Sequence, residues 1–594
     1  MKNFLKTIFA TFIGATLALT IGILLIISIF SSIAAIGSTE TADAPTSAVL
    51  SLDFSSTVAE QGSKDDLGLG AIIPANPFGL AMSGDQIGIY QYVTAIEKAA
   101  TDPAIKYIFI NTSKLQTVPI SISHCEEIRA ALVRFRSSGK PIIAYAENFS
   151  QNGYYLASVA DKVYMDPMGM NDIVGISANI MFLKDILDKL GVEVQLIRHG
   201  KYKSAGEQFI ASDISTANYE QNYSTISSLW ESISADICQS RDLSVEKLNS
   251  LVNNLEISNP QDLVNAGLVD KLLHKDEMEA ELCSLYDVED LEDLNLVSID
   301  KYAEAVIKPN VRAKSKIAVV YAGGNIVSEG LDGTLSAKKY RKILQDIRKD
   351  STIKAVVLRV DSPGGSASAA DIIRRELNLI QEDKPIIVSF ANYAASGGYW
   401  ISAECDKVFT NRTTLTGSIG VFSMVPNLEK VFKETLKINP VSITTHKHSD
   451  MMNLRRPLDQ QETNYFQSGV ELVYDQFISI VAKGRELSKE EVDEIAQGRV
   501  WTGSQAVEIN LADELGGIYE AINYAISSLG EENYQLVEYP KVQSSMDAMM
   551  ESFKNTAAIS QINTPEELLK SLNTFVKQEK GILARMPYTF EFNQ

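Results

Sequence analysis

The sequence predicts an α/β protein built from two tandem copies of one parallel-sheet domain, preceded by a membrane helix. Three observations carry this expectation: motifs recurring about 244 residues apart, β-type apolar runs alternating with amphipathic helical stretches in each copy, and an uncharged N-terminal segment.

The N-terminal segment comes first. After Lys2 and Lys6, the stretch from Thr7 to Gly37 has no charged residue, and its apolar run exceeds the roughly 20 residues a bilayer demands. A retained anchor over 1–37 is expected; a cleaved signal peptide, whose apolar core is typically about 7 to 15 residues, is the alternative. Two lysines precede the span and acidic STETADAP follows it. The positive-inside rule then puts the N-terminus in the cytoplasm and the bulk of the chain outside, as a single-pass protein of the cytoplasmic (inner) membrane.

The full chain of 594 residues carries a net charge of −21. An acidic surface repels phosphate, which argues against nucleic acid as a partner. Four cysteines without CxxC spacing and five histidines without HExxH give no support for a metal site, and no cofactor is expected. Disulfides stay open.

The duplication is read by walking the chain. GKPIIAYAENFSQNGYYLAS from Gly139 matches DKPIIVSFANYAASGGYWIS from Asp383; IRAAL matches IRREL, ADKVYMDP matches CDKVFTNR, IVGISANI matches LTGSIGVF, and NAGLVDKL matches EINLADEL. Each copy alternates strand runs (KYIFIN, PIIAYA; AVVLRV, PIIVSF) with helical patterns (CEEIRAALVRF; ADIIRRELNLI), which implies parallel strands and crossover helices. The copies are placed at 44–310 and 311–545, and the Met-rich remainder, 546–594, is expected to be a helical tail.

Chemistry concentrates in the second copy. In VVLRVDSPGGSASAADIIRREL a strand ends at Asp361 and a helix follows near Ser368, with Pro363 fixing the turn and Gly364 and Gly365 leaving their amides open. Such amides can stabilise an oxyanion, although Gly pairs also mark ordinary turns. The next strand, PIIVSF, leads into NYAASGGYW, where Ser396 precedes Gly397 and Gly398. A helix cap among small residues is the plain reading. A hydroxyl and exposed amides at two consecutive strand ends are a rarer pair, and together they point to acyl transfer, with the Gly397 amide as a second donor.

A serine nucleophile needs a base. His446 and His448 in TTHKHSD are candidates without an evident acid partner; the alternative is a lysine kept neutral by burial.

Jointly, SPGGS, NYAASGGYWIS, LTGSIGVF and GRVWTGSQAVEINLADELGG, with GKYKSAGEQF in the first copy, resemble the signal peptide peptidase A (protease IV) family in its long, duplicated form. The likeness extends over both copies and the anchor. It implies Clp protease/crotonase-like domains, a serine protease with a Ser/Lys dyad, and signal peptides as substrates near the membrane. By motif match the nucleophile is Ser396, the base Lys203 of YKSA, and Ser418 of TGSIG orients the lysine amine. Without the resemblance, Lys201 and Lys203 are indistinguishable. It further implies a homo-oligomer, a tetramer in the long form, with catalytic domains on the extracytoplasmic (periplasmic) side. The sequence departs from the family where YKSAGEQF lacks a proline after the glutamate and NLADELGG replaces GLVD.

The copies have lost complementary parts. Asn152 replaces the serine in the first, and Ile120 and Ser121 replace its glycines, while Asp450 of the second stands opposite Lys203. A dyad completed between copies is therefore expected, within one chain in preference to between chains. Two competing readings are a non-catalytic membrane scaffold of the same fold, against which the intact Ser396, Lys203, Gly364 and Gly365 count, and a crotonase-like acyl-CoA enzyme, which an external location and acidic surface disfavour.

Overall fold

The computed structural model describes residues 45–63, 86–330, 333–530, 533–542 and 582–586. The anchor expected over 1–37 lies outside them, and among the described residues no helix is long and apolar enough to cross a membrane.

The first copy contributes β1 (Ala48–Leu52), the short pair β2 (Val58–Ala59) and β3 (Ile87–Gly88), β4 (Ile105–Asn111), β5 (Ile142–Ala146), β6 (Lys162–Met165), β7 (Glu193–His199), β8 (Lys271–Leu272) and β9 (Leu296–Ser298). From the second come β10 (Ser315–Gly323), β11 (Ile326–Val327), β12 (Leu335–Ser336), β13 (Ile353–Ser362), β14 (Gly364–Ser366), β15 (Ile386–Ala395), β16 (Lys407–Thr410), β17 (Leu415–Gly417), β18 (Val421–Asn427), β19 (Val500–Thr502), β20 (Glu514–Leu515) and β21 (Tyr534–Tyr539). A final strand, β22 (Leu583–Arg585), comes from the tail. The first sheet runs β8-β6-β5-β4-β1-β9 with all neighbours parallel. The second runs β19-β17-β15-β13-β10-β21, with β16 and β20 branching from β15. Helices repeat in step: Thr216–Arg241 and Gln460–Arg485 are both 26 residues long, and each ends on a left-handed residue, Asp242 or Glu486.

The near-continuous apolar run of β13 follows from burial on both faces. Ala355 and Val357 join the core shared with the first copy, while Val356, Leu358 and Val360 face the second copy's own helices. Charged groups lock the copies together. Buried Arg359 of β13 donates to Glu60 (2.7 Å) and Glu127 (2.6 Å) of the first copy, and Arg412 pairs with Glu126 at 2.9 Å.

A third sheet, β12-β11-β14-β22-β18-β7, joins the copies outright. In it β7 of the first copy pairs antiparallel with β18 of the second over the whole register from Val421↔His199 to Asn427↔Glu193. This crossing carries the chain that follows β7 into the second copy. The helix expected for the tail falls mostly outside the described residues, and the described part corrects it: 583–585 are extended, because the segment fills a strand-wide gap between β14 and β18.

Candidate active site

Ser396 sits at the elbow between β15 and the short helix Gly397–Ser402, with φ 55° and ψ −113°. A non-glycine residue in that region is strained and persists only where its surroundings fix it. They do so here: the Ser396 amide donates to the Gly417 carbonyl (2.8 Å) and its carbonyl accepts from the Trp400 amide (2.8 Å). The small residues seen in the sequence have a steric cause. A Cβ on Gly398 would lie 2.5 Å from the Ser362 carbonyl oxygen, so β13 and this helix can approach only over glycine.

Lys203 arrives four residues beyond β7. Its Nζ lies 2.9 Å from Ser396 Oγ, 2.9 Å from Ser418 Oγ and 3.0 Å from the Ser418 carbonyl oxygen. Lys203, Ser396 and Ser418 are all fully buried. All three partners of the amine are uncharged oxygens, so nothing offsets the loss of solvation, and burial holds its pKa well below the ordinary lysine value. A neutral amine has two N–H donors and one lone pair. The Ser418 carbonyl can only accept and the Ser418 hydroxyl can accept as well, which leaves the lone pair for the proton of the Ser396 hydroxyl.

The lysine is held by parts of both copies. Its carbonyl accepts from Arg198 Nη1 (2.9 Å), and the adjacent Tyr202 amide donates to the Gln497 carbonyl (2.8 Å). Gln221 Nε2 bonds the Tyr202 carbonyl and Ser204 Oγ, while its Oε1 accepts from the Val500 amide. Gly498, with φ +80°, leaves room for the Lys203 backbone: a Cβ there would lie 2.6 Å from Lys203 N. Ser418 is itself left-handed (φ 49°) and fixed by its amide bond to the Arg499 carbonyl (2.7 Å).

The turn after β13 closes the site. Gly364 has φ +99°, and its amide donates to Ser362 Oγ at 3.2 Å. A Cβ on Gly364 would stand 2.7 Å from the Gly397 amide nitrogen, so the two glycines line one cleft beside Ser396. Gly365 belongs to β14, in register with Ile326 on one side and Ala584 on the other. Behind the turn, Asp361 is half-buried and accepts from the Tyr393 amide (3.0 Å); loss of solvation, and then the Glu60 carboxylate, push its pKa up to about 6.

Geometry thus brings Ser396, Lys203, Ser418, Gly364, Gly365 and Gly397 together. It does not bring in Lys201, which is exposed and bonds Tyr202 Oη at 3.2 Å, nor His446 on Thr445, nor His448, which is 2.9 Å from Glu462. The counterpart positions are differently employed: Asn152 lies inside the helix Gln151–Ala157 with its amide on the Ile120 carbonyl (3.2 Å), and Asp450 pairs with Arg456 at 2.7 Å. All four cysteines are free and buried. Arg198, Gln221 and Gly498 were not singled out from the sequence. Gly498 opens the GRVWTGSQAV motif, but its purpose exists only once the other copy's lysine loop lies against it.

A strained serine on a strand–helix elbow in a doubled α/β scaffold, beside open glycine backbone, defines a serine hydrolase. The model of "Peptidase family S49" matches residues 134–289 and 378–530. The chain belongs to this peptidase family and is a serine protease. It is 34% identical to "Protease 4" of Haemophilus influenzae over 74% of this chain and 73% of the relative. Identity is 29% to "Serine protease SPPA, chloroplastic" of Arabidopsis thaliana, over 82% of this chain and 72% of the relative. A shorter match, 35% over 36% of this chain and 63% of the relative, is to an Enterococcus faecium protein named as a signal peptide peptidase SppA.

Proposed function

We propose that this serine protease works through a Ser396/Lys203 dyad split between the two copies of its domain, and that it degrades spent signal peptides and other apolar peptides beside the membrane. The observation that carries the reading is the 2.9 Å bond between Lys203 Nζ and Ser396 Oγ in a site with no carboxylate on the amine. Neutral Lys203 takes the hydroxyl proton as Ser396 Oγ attacks the peptide carbonyl. Backbone amides at Gly397 and at Gly364 or Gly365 receive the developing oxyanion. The lysine then protonates the departing amine; in the second half, neutral Lys203 takes a proton from the water that attacks the acyl-enzyme and returns it to Ser396 Oγ as the ester bond breaks and the acid leaves.

The substrate class rests on the name of the Enterococcus relative and on the uncharged N-terminal segment, which would hold the catalytic part against the outer face of the cytoplasmic membrane. Assembly into a tetramer belongs to the same reading. The test is turnover of a fluorogenic apolar peptide by the full chain in detergent, comparing Ser396→Ala, Lys203→Ala and Lys201→Ala. Both dyad variants lose turnover and Lys201→Ala keeps it. Full activity in Lys203→Ala with a folded protein refutes the dyad.

A further inference from the structure

The lysine loop and the strand that holds the lysine's partners meet on one side chain. Gln221 lies in the second turn of the helix Thr216–Arg241, buried between the copies. Its Nε2 donates to the Tyr202 carbonyl (3.1 Å) and to Ser204 Oγ (3.0 Å), which belong to the residues on either side of Lys203. Its Oε1 accepts from the Val500 amide at 3.2 Å. A carbonyl can only accept and a backbone amide can only donate, so these contacts fix which end of the side-chain amide faces which copy. They also narrow the residue type. Glutamate lacks the donors, lysine and arginine lack the acceptor, and asparagine is a methylene shorter.

From Val500 the connection reaches the other members of the site. Val500 is in register with Gly417 across β17 and β19, and the Gly417 carbonyl accepts the Ser396 amide (2.8 Å). The carbonyl just before Val500, that of Arg499, accepts from the Ser418 amide (2.7 Å). One side chain thus links the main chain flanking Lys203 to the main chain that places Ser396 and Ser418. The helix itself does not require a polar group there. In the equivalent helix Gln460–Arg485 the matching position is Tyr465, and Leu472 matches Ser228, which shares a hydrogen bond with Thr502 Oγ1 (2.7 Å); both Tyr465 and Leu472 are exposed. The polar face is present only in the helix that lies against β19 and the lysine loop.

We propose that Gln221 is a positioning residue for proteolysis, holding Lys203 on Ser396 and Ser418 by tying the lysine loop to β19. This rests on the reading of Lys203 as the base. The partners of Gln221 are two backbone groups and Ser204, none of them a reacting atom, so its loss acts on the chemical step through the base and leaves peptide binding in place.

The experiment compares full-length wild type, Gln221→Met, Gln221→Asn and Gln505→Met in detergent, reading kcat and KM for a fluorogenic apolar peptide across pH, with thermal unfolding alongside. Gln505 supplies the control. Its Nε2 bonds Ser224 of the same helix (3.3 Å) and its Oε1 accepts from the Thr502 amide (3.1 Å), so it ties the copies without reaching the lysine loop. Both Gln221 variants are expected to lose about tenfold to a hundredfold in kcat with KM within about twofold of wild type. Their acid limb of kcat/KM moves to higher pH, because an amine released from its dry site regains solvation and with it basicity. Gln505→Met keeps the wild-type kcat and acid limb. Asparagine keeps a hydrogen-bonding amide at the site, so Gln221→Asn decides the matter if Gln221→Met does not fold. The proposal is overturned if the folded Gln221 variants keep kcat and the acid limb of wild type. It is equally overturned if Gln505→Met shifts both to the same extent, which makes Gln221 one structural tie among several. A wrong base shows separately, as turnover that survives in Lys203→Ala.

Discussion

Gly498→Ala isolates the geometry on which the proposed dyad depends. A Cβ at 498 would lie 2.6 Å from Lys203 Cβ and N and 2.7 Å from its Cα. Non-bonded carbons rest at about 3.5–4.0 Å, so the lysine backbone must retreat by about 1 Å. Nζ now bonds Ser396 and Ser418 at 2.9 to 3.0 Å, and such a shift takes those contacts beyond hydrogen-bonding range. Misplacement by about 1 Å costs on the order of a hundredfold in rate. Alanine also suffers at φ +80°, by about 1–2 kcal/mol. Gly139→Ala provides the control, since Gly139 has φ +86° and nothing within 4 Å of the added carbon. Measured by kcat/KM together with thermal unfolding, both variants lose the stability that a positive φ costs alanine, Gly498→Ala loses more because of its clash with Lys203, and only Gly498→Ala loses activity. Equal activity losses, or a Gly498→Ala enzyme within about twofold of wild type, would refute the reasoning.

Three further outcomes are expected. The base must be neutral, so kcat/KM rises about tenfold per pH unit below the Lys203 pKa and levels above it; because burial lowers that pKa, the inflection falls well below the ordinary value of about 10.4, and a limb centred there would refute the assignment. The same shift costs stability: the unfolded chain protonates Lys203 at pH values where the native chain holds it neutral, so stability rises with pH between the folded and unfolded pKa. Lys203→Met therefore unfolds at a higher temperature at neutral pH, and a lower one counts against burial of a neutral amine. Arg359→Met strips Glu127 and Glu60 of their shared partner and is expected to cost about 3–5 kcal/mol in denaturant unfolding, against the few tenths lost by Lys338→Met at an exposed pair.

How much of this was legible beforehand differs by residue. The duplication could be read because a repeated core repeats its apolar register, and the paired 26-residue helices bear that register. Ser396 could be singled out locally, since the cluster of alanine and glycine that permits the elbow is contiguous with it. Lys203 could not be told from Lys201 by local sequence. The distinction is made by the β7–β18 crossing, which buries one and leaves the other on Tyr202. The strand at 583–585 was hidden for a similar reason: its partners are β14 and β18, and an apolar stretch in a tail carries no sign of a gap in a sheet hundreds of residues away.

The same crossing explains why each copy discarded what the other kept. Lys203 is attached to β7, and β7 belongs to the second copy's sheet, so the lysine reaches Ser396 and not the elbow of its own copy. At that elbow Ser150 caps a helix starting at Gln151, in an unstrained backbone (φ −72°), and Asn152 turns inward to the Ile120 carbonyl. Once no amine arrives there, a strained serine has no proton acceptor and its strain of order 1–3 kcal/mol returns nothing. The reverse holds in the second copy, where residues 440–446, equivalent to β7, form no strand and Asp450 is neutralised by Arg456. On the proposed dyad, a single inter-copy strand pairing therefore makes one active site from two incomplete ones, and makes it dependent on both.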